Sequence, residues 1–380
     1  MAARYDVIIA GLGAMGSATA AHLALRGERV LGLERWTPGH KFGSSHGDSR
    51  MIREMYFEHP MYVPLLQRAY YLWEELGRRV KSELLHTIGG LMIGRRDGRL
   101  VSGTLRSAAE HGLDHEILEP AEVARRFPAF KLDGELVAVL DPRAGYLDPD
   151  VCNEAHRLVA TESGANLRFE EPLLGWKATN DGVVANTSRG RYEADHLVLA
   201  VGARTVPLLG LNVPLEVERQ SLFWLQPGTR QNYEPARFPV YAYEYTPGAI
   251  CYGFPELLRG VKASVMHSGA IAADAYDVTR VVGDDEAEPL RQALAPVLPE
   301  LSRAPVRESE VCLFTNTPDH DFIVDFHPDQ PRVLVSSACS GHGFKFSSVI
   351  GEIQADMVMH GSSRFDLSPF RITRFNPAAN

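Results

Sequence analysis

Four cysteines, at positions 152, 251, 312 and 339 of 380 residues, form no close pair and no metal-ligand spacing. That leaves neither a disulfide framework nor a zinc site and favours a reduced, cytoplasmic setting. Also missing is any apolar run approaching the roughly 20 residues of a membrane helix, and no charged segment with an apolar export core stands at the start. Positive charge does not dominate: 39 Lys and Arg against 48 Asp and Glu give a net charge of −9. Such a chain repels phosphate backbones, so no nucleic-acid partner and no membrane is expected. There is no internal repeat and no low-complexity segment. What remains, at 45% hydrophobic content, is globular material long enough for two cores. An anionic ligand on so acidic a chain must be met by particular Arg or Lys residues.

The first feature present is an apolar strand, Tyr5-Asp6-Val7-Ile8-Ile9-Ala10, running into Gly11-Leu12-Gly13-Ala14-Met15-Gly16 and an alanine-rich helix. Gly11 permits the tight turn, Gly13 opens the backbone to phosphates, and Gly16 lets helix and strand pack closely; the helix N-terminus favours negative charge. A second strand, Val30-Leu31-Gly32-Leu33, ends at Glu34, whose carboxylate can accept from ribose hydroxyls. An adenine dinucleotide is therefore expected. An acid in place of a basic residue at 34 disfavours a 2′-phosphate, which leaves FAD and NAD.

Further along, the polar loop Ser44-Ser45-His46-Gly47-Asp48-Ser49-Arg50 precedes a helix with Tyr62, Leu65, Leu66, Ala69, Leu72, Trp73 and Leu76 on one face. From about Leu85 to Pro149 short strands alternate with one helix near Val101 to His111. A helix near Cys152 to Ser163 and a solid apolar strand, His196 to Val201 stopped by Gly202, return to the first pattern. Leu215 to Phe314 reads as alternating strands of an antiparallel sheet, with a helical piece near Glu286 to Ala295. The chain ends with the strand Val333 to Ala338, a glycine loop, and a helix from about Ser347 to Met359. The expected fold class is α/β plus α+β: a Rossmann-like dinucleotide-binding domain (1–84, 150–214 and 320–380) interleaved with an antiparallel-sheet substrate domain (85–149 and 215–319).

Four segments then carry the chemistry: the N-terminal cradle, Ser44 to Arg53, the strand around Cys312, and Cys339-Ser340-Gly341-His342-Gly343-Phe344-Lys345-Phe346-Ser347. With Tyr252-Gly253-Phe254-Pro255 and Asp325-Phe326-His327-Pro328, they make the whole chain resemble the monomeric sarcosine oxidase and N-methyl amino acid oxidase family. The resemblance implies the glutathione-reductase and D-amino-acid-oxidase type of fold, with FAD in place of NAD. It implies that Cys312 bonds covalently to the 8α-methyl of the isoalloxazine, an attachment that needs a cationic neighbour. Read alone, Cys312 would be a buried small hydrophobe.

The same resemblance implies that Arg53 and Lys345 hold a substrate carboxylate, with Tyr252 as a hydroxyl donor. A guanidinium fork matches two carboxylate oxygens. His46 and Arg50 are expected near the flavin ring, with Ser45 where the family often has a second histidine. Cofactor contacts are expected from Gly11, Gly13, Ala14, Met15, Gly16, Glu34, Ser44, Ser45, His46, Arg50, Gly202, Cys312, Gly341, Gly343, Phe344 and Lys345. The helix after Gly341 to Lys345 is expected to face the pyrimidine edge, where its N-terminus lowers the energy of developing negative charge. Arg50, Lys262 and His267 are the expected catalytic side chains, Lys262 activating dioxygen and His267 lining the pocket. The spacing from Lys262 to His267 is one residue longer than the family's, which aims Lys262 at the wrong face unless a bulge intervenes. Phe314 stands where sarcosine oxidases commonly have tyrosine. The implied activity is oxidation of a secondary or N-methyl amino acid to an imine, with O2 reduced to H2O2, by a monomer. A same-fold dehydrogenase using another acceptor and a non-catalytic flavin- or NAD-binding sensor are the alternatives.

Overall fold

The computed structural model describes residues 4–375. The strand Arg4–Ala10 sits at the centre of an eight-stranded sheet. Val30–Leu33 lies parallel on one side and Arg191–Leu199 parallel on the other, the latter extended by Gln330–Ser337 through Leu197 opposite Val333. Three separated stretches of chain thus build one sheet. The run Val7-Ile8-Ile9-Ala10 is apolar without alternation because helices and a strand layer bury both its faces.

Against this sheet the helix Ala14–Leu25 packs on the helices Pro149–Glu162 and Ser347–His360. Its small residues allow the approach: a Cβ on Gly351 would stand 2.6 Å from Ala18. The helix Val63–Val80 buries Leu65, Leu66, Ala69, Leu72, Trp73 and Leu76 as its periodicity predicts, whereas Tyr62 belongs to the 3-10 turn Pro60–Tyr62 before it.

The second sheet has nine strands and takes Gly90–Arg95, Leu136–Asp141 and Glu116–Leu118 together with the strands between 216 and 316. Every pairing is antiparallel except Val240–Thr246 with Gly90–Arg95, which is parallel. The helices Glu288–Leu294 and Pro299–Arg303 cover one face, burying Leu290, Leu294 and Leu301 against Phe223, Tyr241 and Cys251. The opposite face, carrying Ala242, Tyr252 and Lys262, is turned to a cleft. A three-stranded sheet of Arg50–Ile52, Gly145–Leu147 and Leu85–Thr87 marks the first two of the chain's four crossings between the large sheets.

Two expectations need correcting. The segment 85–149 holds a second short helix, Pro120–Arg126, opened by a proline at its first position. The helical piece near Glu286 is a 3-10 turn, Asp284–Ala287, feeding the helix Glu288–Leu294, because Pro289 restarts the hydrogen-bond ladder. Among the described residues no helix is long and apolar enough to cross a membrane.

Candidate active site

One cleft runs between the two large sheets, from the glycine turn at Gly11 to Lys345. At its first end Gly11 has φ +89°, and a Cβ there would meet the Ala200 oxygen at 2.3 Å. A Cβ on Gly16 would lie 1.8 Å from the Gly11 oxygen, so Gly16 packs helix on turn and lies outside the cleft lining. The helix that follows has Gly13 as its N-cap, with no side-chain cap and no acid in its first turn. Its N–H groups therefore face the cleft as an anion site. Ser45 meets one of them, its Oγ accepting from Ala14 N at 3.2 Å, a local reason for serine at that position. Glu34 accepts from Leu12 N at 2.8 Å and Trp36 N at 3.1 Å, so its carboxylate fixes the turn and keeps lone pairs free for a ribose.

The loop Ser44 to Arg50 crosses to the strand Val306–Asn316. Ser44 Oγ donates to the Leu313 oxygen, and Arg50 Nη2 donates to the Ser44 oxygen at 2.9 Å while standing 3.6 Å from Cys312 Sγ. Cys312 is buried and lines the cleft with a guanidinium beside it, the neighbour a nucleophilic sulfur uses. His46 is turned away from the cleft. Its Nδ1 lies 3.2 Å from Glu310, and burial, partly offset by that carboxylate, pushes it below the usual histidine range.

At the far end three charged groups converge. Arg53 Nη2 donates to both oxygens of Glu58 at 2.7 and 2.6 Å, and its guanidinium stacks on Tyr56 and Phe57 at 4.2 and 4.5 Å from the ring centres. Lys345 Nζ donates to the His342 oxygen at 2.7 Å. Burial, with the Arg53 charge alongside, pushes Lys345 down to about 7 against the pull of Glu58. Burial alone would raise Glu58; Arg53 and Lys345 outweigh it and hold the carboxyl below its usual range. With Lys345 protonated the cluster is two cations against one carboxylate, short of one negative charge. Lys345 reaches it from the 3-10 turn Phe344–Phe346, anchored by Trp73 Nε1 donating to the Lys345 oxygen at 2.9 Å. Tyr252 lies in the cleft and is pushed up to about 12 by burial, so it stays a hydroxyl donor.

Lys262 faces the cleft. The strand Ala249–Leu257 has an extra residue there: Gly253 pairs with Ala263 and Glu256 with Val261, three steps against two, with Pro255 in the irregularity. Lys262 Nζ donates to Gly47 O at 2.6 Å, Ser49 O at 2.7 Å and Ser49 Oγ at 3.3 Å. Burial and Arg50 push it well below the usual lysine range, yet three acceptors match the three donors of an ammonium. His267, by contrast, does not line the cleft. It stands just past the strand Gly260–Val265 with φ 52°, its Nδ1 3.0 Å from Glu218. Met266, four residues after Lys262 on the same face, takes the cleft position.

Gly202, Gly341, Gly343, Phe344, Ala14 and Met15 all line the cleft. Sequence reasoning missed Glu58, Met266 and His342, the last buried and 2.5 Å from the Tyr56 hydroxyl. Cys339, given no role by its sequence, also lines the cleft, with Thr315 N donating to its sulfur at 3.4 Å.

The DAO family of FAD-dependent oxidoreductases matches residues 6–357. The chain belongs to this family. Monomeric sarcosine oxidase of Streptomyces avermitilis is 40% identical to it over 97% of both chains. N-methyl-L-tryptophan oxidase of Escherichia coli is 32% identical over 98% of this chain and 100% of its own. Among solved structures, NikD, an amino acid oxidase of nikkomycin biosynthesis, superposes with a TM-score of 0.83 at 27% identity, covering 97% of each chain. L-proline dehydrogenase of P. horikoshii shares the fold at a TM-score of 0.85, 19% identity and 99% coverage of each chain.

The cleft of this FAD-dependent oxidoreductase suits the cofactor. Gly11, where no Cβ fits, and Gly13 line the phosphate end, uncapped helix N–H groups face it, and Glu34 stands at the ribose position. Beyond them one continuous cleft reaches Cys312 and Lys345, leaving room for the ring between the sheets.

Proposed function

We propose that this flavoprotein oxidises a carboxylate-bearing secondary amine, an N-methyl amino acid, to its imine, with O2 as electron acceptor and the flavin tethered through Cys312. The observation that carries the reading is the pair Arg53 and Lys345 in the cleft that holds the dinucleotide cradle. A bare nucleotide binder has no use for two buried cations facing one carboxylate, and this argues against the sensor alternative.

Bound FAD supplies a two-electron acceptor for the hydride equivalent leaving the substrate C–H bond. Arg53 and Lys345 bind the substrate carboxylate, and Tyr252 donates a further hydrogen bond to it. That fixes the amine and the C–H bond relative to the ring, converting a bimolecular encounter into a positioned one. The buried surroundings favour the neutral amine, whose lone pair assists hydride departure. Lys262, held over the cleft by Gly47 and Ser49, is the group placed to meet the charge that develops as dioxygen is reduced; it acts through its field, since its three donors are already matched. Lys262 lining the cleft counts against the dehydrogenase alternative, whose support was a spacing that aimed the lysine away. Water hydrolyses the imine outside the redox step to an aldehyde and the demethylated amine, while the two electrons and two protons taken from the amine reduce O2 to hydrogen peroxide. Since one chain supplies every group named, the reading needs no second subunit.

The test is anaerobic mixing of the yellow protein with sarcosine and with a panel of N-methyl amino acids. Bleaching of the flavin band, then peroxide equal to the amine consumed once oxygen is admitted, supports the reading. Reduction without peroxide would favour another acceptor, and no reduction by any member would refute it.

A further inference from the structure

The floor of the cleft beyond Tyr252 is apolar. Ala242 pairs with Tyr252, and Met266 N donates to the Ile250 oxygen at 2.8 Å, so Ala242, Ile250 and Met266 share one patch of the sheet face. Met51 and Phe57 pack into the same apolar cluster from the facing segment, and all five line the cleft. Phe314 closes the opposite side against Gly341. The patch begins at the clamp, because the Arg53 guanidinium lies on the Phe57 ring at 4.5 Å. A substrate held there by its carboxylate would have its α-carbon beside Phe57 and its side chain over Met266 and Ile250. N-methylglycine has no side chain to cover this surface and leaves it wet.

We propose that this patch selects an N-methyl amino acid whose α-carbon bears an apolar side chain, aliphatic or aromatic, over N-methylglycine and over polar analogues. The proposal rests on the carboxylate-amine reading above. Met266, Ile250 and Ala242 are its specificity-determining residues, and Phe57 joins the clamp to the patch. Covering such a patch with a leucine- or phenylalanine-sized group is worth about 10- to 100-fold in binding. A polar or charged side chain loses its water and finds no hydrogen-bond partner among the six residues, so it is rejected rather than merely tolerated.

The experiment measures kcat/KM by peroxide release for N-methyl-L-leucine, N-methyl-L-phenylalanine, sarcosine and N-methyl-L-aspartate. The apolar pair is expected to exceed sarcosine at least 10-fold and the aspartate by more. Met266→Gln, close in volume but polar, should cut the leucine-to-sarcosine ratio about 5-fold or more, while Met266→Leu retains it. Reading the ratio cancels any loss shared by both substrates, and the flavin spectrum checks that each variant folds. Sarcosine or the aspartate turned over best, or an unchanged ratio in Met266→Gln, overturns the proposal and leaves the amine oxidase reading intact. Turnover of no N-methyl amino acid at all sinks both.

Discussion

Arg53 and Glu58 form a two-pronged ion pair on the floor of the cleft, at 2.7 and 2.6 Å, with both side chains largely buried. Both bonds run from Nη2, and Nη1 donates to the Met55 oxygen at 3.3 Å, so that edge of the guanidinium is taken. The chain's own Glu58 therefore occupies the geometry that a substrate carboxylate needs, and the neighbouring Lys345 supplies the surplus positive charge that lets a second carboxylate enter.

Replacing Glu58 by glutamine leaves Arg53 buried without its partner, a change that costs on the order of 3 kcal/mol. Glu58→Gln should therefore melt several degrees below the parent protein. A carboxylate ligand then takes the vacated place, so saturating N-methyl amino acid under anaerobic conditions should raise the melting temperature of the variant more than that of the parent. Equal shifts in calorimetry would show that Glu58 and the substrate do not share Arg53.

Lys345 gives the clamp a pH dependence. Its ammonium is pushed down to about 7, so below that pH the free protein has two cations and above it one. KM should rise as pH passes upward through about 7, while kcat rises with pH because the bound amine must be unprotonated. Lys345→Arg, whose charge persists to high pH, should flatten the KM profile, and Lys345→Met should raise KM at least 10-fold below pH 7. Initial rates across pH 6 to about 10 separate the two limbs.

The flavin tether is tested by acid precipitation. Colour should stay in the pellet for the parent protein and pass to the supernatant for Cys312→Ala. Arg50, 3.6 Å from the sulfur, should matter before attachment rather than after it. Arg50→Met is expected to retain bound FAD but to carry a smaller tethered fraction, read from the visible absorbance of the denatured pellet.

How much of this was legible in the chain depends on how local each cause is. The glycine turn, Glu34 and the helix Val63–Val80 follow from spacing within a few residues, and their strand and helix bounds fall close to the sequence pattern. The bulge opposite Lys262 depends on how Ala249–Leu257 pairs with its neighbour, which no single strand encodes. His267 was aligned by residue type, whereas alternation from Lys262 through Ser264 lands on Met266; counting by twos from the lysine was the available signal. Glu58 had none, since its ion pair depends on an irregular segment folding back on Arg53. The short helix Pro120–Arg126 escaped because seven residues show too little periodicity.

Acid should unfold the protein through histidines that no catalytic step uses. His22 and His156 sit between the helices packed on the first sheet, and burial pushes them down to about 4 and about 3. In the unfolded chain both titrate near 6.5, so the native state binds fewer protons than the unfolded state between that pH and about 4. Stability present above 6.5 is therefore lost as pH falls, at about 1.4 kcal/mol per pH unit for each histidine. His156 packs on Trp73 with its ring centre 5.2 Å away, and among the described residues its Nδ1 has no hydrogen-bond partner, so an apolar replacement removes a titrating group without breaking a bond at that atom. His156→Leu should melt near the parent temperature at pH 7 and lose stability less steeply from pH 6.5 to 4.5. Urea titrations at half-unit pH steps give the slope directly, and a variant slope equal to that of the parent would place the acid lability in the carboxylate ion pairs instead.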